Sequence, residues 1–109
     1  MELTASKITQ DALLILRARN IECWRQTNNT GKRWRNNVNP GVPDIIGYNK
    51  GTGLAIYCEI KTSGDRLSEH QITFFLKAMA ANCICLIATE VKGRTELIDF
   101  KVYYRDLKI

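Results

Sequence analysis

The residues of this sequence best suited to chemistry are Asp44, Glu59 and Lys61. In the strand-like run Leu54 to Lys61, side chains of an extended chain alternate between faces. Leu54, Ile56, Cys58 and Ile60 then share one side, and Ala55, Tyr57, Glu59 and Lys61 the other. A second such run, Asp44 to Tyr48, precedes it. The connecting Asn49-Lys50-Gly51-Thr52-Gly53 carries glycines that accept the positive φ of tight turns. A hairpin turning between Gly51 and Thr52 pairs Tyr48 with Ala55, Ile46 with Tyr57 and Asp44 with Glu59.

Directly opposed residues of an antiparallel pair have Cβ atoms about 4.5 to 5.5 Å apart on one side of the sheet. Two carboxylates held so closely repel, and a divalent cation between them removes the penalty. Hard cations such as Mg²⁺ take carboxylate oxygens and keep waters for substrate. Lys61 lies two residues beyond Glu59 on the same face. Beside a phosphate it would orient or help deprotonate an attacking water, or stabilise charge developing on phosphorus. An ion pair with Glu59 or Asp44 accounts equally well for its position.

Positioning these groups requires a particular set of elements. Ile8, Ala12, Ile15 and Leu16 recur at helical spacing between Ser6 and Arg19, Asn20 can end that helix, and Ile21 to Arg25 reads as a strand. Gln26 to Pro43 is rich in Asn and Gly and reads as a surface loop, and long loops in compact domains are often functional. After the hairpin a second helix is expected from Ser68 to about Ala81, with Ile72, Phe75, Leu76 and Met79 as its buried stripe. Cys83 to Thr89 is a continuous apolar run fit for an interior strand. Phe100, Val102 and Tyr104 alternate with polar neighbours as in a strand, although Leu97, Lys101 and Tyr104 also share a helical face; strand is the expectation. Repeats and low-complexity tracts are absent from the sequence.

The composition fits one soluble domain over 1–109, with 45% hydrophobic and 25% charged residues. The N-terminus lacks a basic region followed by an apolar stretch, and no run approaches the roughly 18 apolar residues that span a bilayer, so a cytoplasmic protein without membrane association is expected. Cys23, Cys58, Cys83 and Cys85 have no CxxC spacing and His70 is the only histidine, which argues against structural zinc and for buried free thiols. The net charge is +5. Arg25, Lys32, Arg33 and Arg35 fall in the stretch from Arg25 to Pro43, which holds no acidic residue. That surplus suits a polyanion or an ordinary solvated loop. Trp34 in the same loop is expected to pack back onto the domain, with base stacking as its alternative.

Three groups of residues resemble a known family. Gly41-Val42-Pro43-Asp44-Ile45-Ile46-Gly47, then Glu59-Ile60-Lys61-Thr62, then Arg66-Leu67-Ser68-Glu69-His70-Gln71 are similar to the VRR-NUC (virus-type replication-repair nuclease) branch of the PD-(D/E)XK nucleases. The resemblance covers about residues 6 to 90. It implies an α/β, restriction-endonuclease-like αβββαβ core, a mixed β-sheet flanked by helices. It implies that Asp44, Glu59 and the Ile60 carbonyl bind Mg²⁺ or Mn²⁺, that Lys61 assists the nucleophilic water, and that a DNA phosphodiester is hydrolysed. Small free-standing relatives in viruses of bacteria are consistent with the family name, and repair, recombination and genome processing are all compatible roles.

Gln71 matches the family's glutamine at the start of the second helix, facing the active site. Ser68-x-x-Gln71 before an apolar helical stripe is also a capping box, and both roles are open. Many relatives place a glutamate on the first helix; here only Gln10 and Asp11 are offered, with Glu2 near the chain start. Arg66 is either a phosphate contact or a solvated loop residue. With Arg25, Lys32, Arg33 and Arg35 it would hold DNA by its backbone without reading sequence. No base-reading motif is present, so a structure-selective endonuclease acting on junctions, flaps or nicks is expected. Paired sites on two strands point to a homodimer. A nucleic-acid-binding module that does not cut is the alternative, and a structural interaction protein is a weaker third.

Overall fold

The computed structural model describes residues 2–26 and 41–107. Helix α1 (Ala5–Ala18) starts where Thr4 accepts the Lys7 N–H at 3.1 Å. Its i, i+4, i+8 stripe of Ile8, Ala12 and Leu16 is fully buried. Asn20 follows with φ 69°, a left-handed conformation that Asn tolerates and that ends the helix.

Strands β1 (Ile21–Arg25), β2 (Ile45–Asn49) and β3 (Ala55–Lys61) form an antiparallel meander. The expected register holds: Tyr48 pairs with Ala55 and Ile46 with Tyr57. Asn49 organises the turn, its Oδ1 accepting the Gly51 and Thr52 N–H groups. Asp44 and Leu54 lie just outside the ladder, so β2 is shifted one residue along the chain from the expected run and β3 is one residue shorter. Helix α2 (Glu69–Ala80) then crosses over to β4 (Ile84–Val91), which runs parallel to β3, and β5 (Arg94–Asp99) returns antiparallel. The five strands keep chain order in one mixed sheet.

Both sheet faces are covered. Helix α1 buries Ile8, Ala12 and Leu16 against Ile21, Cys23, Ile45, Ile56, Cys58 and Ile60. On the other face Phe75 and Ala78 of α2 pack with Cys85, Ile87 and Phe100. Leu76, expected in the α2 stripe, is 45% exposed, and Ala78 takes the buried place.

The chain's end departs from the strand expectation. Phe100–Leu107 is a helix, α3. Asp99 Oδ1 accepts the Lys101 N–H at 2.8 Å, Phe100 is fully buried, and Tyr104 stacks on it at 5.4 Å one turn later. Val102, which alternation would have buried, is left 39% exposed. The aromatic i, i+4 pair, with Phe75 stacked on Phe100 at 4.8 Å, outweighs the short alternating pattern.

Three of the four cysteines are buried and all four are free, as expected from their apolar surroundings. Burial pushes the Cys23, Cys58 and Cys85 thiols up, which keeps them protonated and unreactive. No helix among the described residues is long and apolar enough to cross a membrane.

Candidate active site

The site forms where β2 begins and β3 ends. Pro43 is fully buried, and Asp44 follows it at the foot of β2. The Asp44 carbonyl accepts the Gln26 N–H at 2.6 Å, which extends the β1–β2 pairing by one step. Its side chain turns toward β3, where Oδ2 accepts the Ile60 N–H at 3.0 Å. Just before Asp44, Gly41 lies against the start of α2: φ is +87° there, and a Cβ would run into the backbone carbonyl of His70.

Glu59 is 4% exposed and Lys61 6%, on the face beneath the start of α2. Gln71 Nε2 donates to Glu59 Oε2 at 2.7 Å. The other end of the same amide, Oε1, accepts the Ser68 N–H at 2.9 Å, while Ser68 Oγ accepts the Gln71 N–H at 3.1 Å. Gln71 therefore completes the capping box and touches Glu59 at once. Lys61 Nζ donates to the Arg66 carbonyl at 2.8 Å and lies 4.0 Å from Glu59 Oε2.

The remaining Glu59 oxygen, Oε1, is buried with no hydrogen-bond partner among the described residues. Burial pushes the Glu59 carboxyl up to about 8, and the Asp44 charge adds to the rise while Lys61 opposes it. Burial and the neighbouring Asp44 thus favour the protonated Glu59 in the metal-free chain, and a divalent cation bound between the two groups would take the place of that proton. Asp44, Glu59 and the Ile60 carbonyl offer only oxygen donors, the chemistry of a hard divalent ion.

The family model of the VRR-NUC domain matches residues 4–94. The chain belongs to the VRR-NUC family. The family in turn places it among the PD-(D/E)XK-type nucleases. Among solved structures, Hjc, a Holliday junction resolvase from the archaeal hyperthermophile Archaeoglobus fulgidus, superposes with a TM-score of 0.53 at 18% identity. The match covers 92% of each chain and establishes a shared fold. Comparison with curated protein sequences finds no significant match. Family and fold together support a DNA nuclease in general terms.

In this VRR-NUC domain the first helix gives no carboxylate to the site. Asp11 is committed elsewhere, Oδ1 to Lys7 Nζ at 3.1 Å and Oδ2 to the Thr95 hydroxyl at 2.8 Å. Chiefly that Thr95 hydrogen bond holds its carboxyl below the usual range. No cluster of three His, Cys, Asp or Glu forms among the described residues.

Arg66 reaches the VRR-NUC site by its backbone carbonyl, and the residue itself is exposed. That contact carries no residue-type signal in the sequence. Arg25 is exposed at the end of β1, paired with Ile45, and strand alternation sets it with Cys23 on the face opposite Glu59. Lys32, Arg33, Trp34 and Arg35 lie outside the described residues.

Proposed function

We propose that this VRR-NUC domain is a metal-dependent, structure-selective DNA endonuclease with Asp44, Glu59, Lys61 and Gln71 at its active site. The observation that carries the reading is the buried, unpartnered Glu59 Oε1 beside Asp44. Asp44, Glu59 and the Ile60 carbonyl would hold Mg²⁺ or Mn²⁺, which when bound supplies Lewis-acid polarisation of a phosphodiester and activation of water.

The chain's own residues do the rest. Gln71, braced by Ser68, fixes the orientation of Glu59, so the carboxylate is set before substrate arrives. The Arg66 carbonyl holds the Lys61 ammonium beside Glu59, where a positive charge neutralises what develops on the phosphoryl oxygens during hydrolysis. The low-dielectric surroundings that raise Glu59 also strengthen this interaction.

Four-way junctions enter the proposed substrate class through the likeness to a Holliday junction resolvase. Flaps share the branch point and nicks the interrupted stacking of such a junction, and repair or recombination in the cytoplasm of a bacterial or phage-infected cell would supply them. The net charge of +5 favours a polyanion, with Lys32, Arg33, Arg35 and Arg66 contributing contacts to the DNA backbone, while Arg25, on the face opposite Glu59, reaches only DNA that passes around the sheet edge. Residues 1–109 act as one domain, and two copies pair their sites to cut two strands.

The test is cleavage of linear, flapped and four-way-junction DNA with Mg²⁺, Mn²⁺ or EDTA, beside Asp44→Asn and Lys61→Ala. Metal-dependent cutting that favours branched DNA and is lost in both variants is expected. Binding without cutting under every metal would leave a non-catalytic binding module. Unimpaired cutting by both variants would move the site elsewhere.

A further inference from the structure

Between α2 and β3 lies a groove of about 470 Å³, lined by Tyr57, His70, Thr73, Phe74 and Lys77 with small residues behind them. Two of its lining residues are neighbours of the candidate site. Tyr57 precedes Glu59 by two residues on the same strand face, a spacing of about 6.6 Å. His70 precedes Gln71, whose amide holds Glu59.

Two features define what the groove can take. Tyr57 and Phe74 meet edge to face with centroids 5.0 Å apart, and both are half-buried, so part of each ring stays open. Strand register places Trp24, 44% exposed, and Ile46 in the same cross-strand row as Tyr57, which extends this apolar shelf outward. Lys77 and His70 are exposed at the rim, and the described lining residues include no carboxylate. An aromatic floor with the Lys77 ammonium and the His70 imidazole at a carboxylate-free rim matches a nucleotide, whose base is flat and apolar on its faces and whose phosphate is anionic. The volume is in the range of small-ligand sites.

We propose that this groove is a nucleotide subsite, seating one unstacked nucleotide of the DNA strand next to the bond that is cut, with its base on Tyr57 and Phe74 and its phosphate at Lys77 and His70. The inference rests on the nuclease reading. It gives branched DNA a physical advantage, because a base at a junction or flap leaves its stack at lower cost than one in a continuous duplex.

The test maps the cut position with the full chain in Mn²⁺, then measures binding in EDTA to the same DNA with single abasic sites scanned across the cut. One abasic site beside the cut is expected to weaken wild-type binding about tenfold, and to change binding by Tyr57→Leu or Phe74→Leu by less than about twofold. Lys77→Gln, a surface change that spares the core, is expected to lower the slope of log affinity against log salt by about one. If the wild type binds and cuts but no abasic position matters, the groove proposal falls and the nuclease reading stands. If the wild type neither binds nor cuts, both fall. If the variants shift sedimentation to a smaller species while the abasic effect persists, the groove is a contact between copies of this chain and the proposal is overturned.

Discussion

Gln71 Nε2 lies 2.7 Å from Glu59 Oε2, and through its other amide atom the same side chain closes the N-terminus of α2. Helix start and candidate metal carboxylate are thus one hydrogen-bonded unit. Ser68→Ala removes only the cap and is expected to cost about 1 kcal/mol of stability. Gln71→Glu keeps an acceptor for the Ser68 N–H but sets a second carboxylate against Glu59. Its melting temperature should stay closer to wild type than its cleavage rate, which is expected to fall at least tenfold. Equal cleavage by Gln71→Glu and wild type would reduce Gln71 to a cap.

The burial that raises Glu59 from 4.5 to about 8 has a consequence for the metal-free chain. Between those values the folded state holds a proton that the unfolded state has released, so stability falls as pH rises through this window. Glu59→Gln removes the titration. In EDTA it should be more stable than wild type at pH 8 to 9, by up to about a few kcal/mol, and the gap should close toward pH 4. Thermal melts of both proteins across pH check this, and a constant gap would contradict it.

A cation that binds only the folded chain raises the melting temperature by mass action, growing with the logarithm of its concentration over its Kd once the site is filled. Mg²⁺ or Mn²⁺ should therefore stabilise the wild type more at pH 8 than at pH 5, where Glu59 is protonated. Asp44→Asn should abolish most of the shift. This readout needs no DNA, so it separates a metal site from catalytic competence.

Much of this arrangement was legible in the sequence because it depends on local rules. The Gly-rich turn fixed the hairpin register, and with it the approach of Asp44 to Glu59. Ser68 and Gln71 announced their cap by spacing alone. What escaped depends on tertiary partners or on backbone atoms. Phe100 and Tyr104 satisfy both a strand and a helix pattern, and only Phe75 across the core selects the helix. Leu76 has the helical spacing of a buried residue but faces no neighbouring layer. The Arg66 carbonyl that holds Lys61 could belong to any residue type.

Gly41 is such a backbone position, with a readable reason. Its φ of +87° is one that side chains rarely adopt, and a Cβ would strike the His70 carbonyl. Gly41→Ala is expected to cost about 1 to 3 kcal/mol. It should also displace Asp44, three residues on, so cleavage should fall more than folding does at temperatures well below the melt. A stable, fully active Gly41→Ala would show that this close approach is dispensable.

Lys61 distinguishes an electrostatic role from a purely structural one. The ammonium is buried, bound to the Arg66 carbonyl, and holds the Glu59 carboxyl lower than burial alone would leave it. Lys61→Met keeps the length of the chain and removes the charge, so the Glu59 titration should move to still higher pH. Cleavage should drop by roughly a hundredfold or more if the cation acts in the reaction. Lys61→Arg restores the charge but not the compact fit within hydrogen-bond reach of a single carbonyl, and should recover the Glu59 titration better than the rate. Loss of rate in Lys61→Met recovered in full by raising the pH would mean that Lys61 serves only to keep Glu59 ionised. A rate that stays low at high pH would place the ammonium among the groups acting on the phosphate.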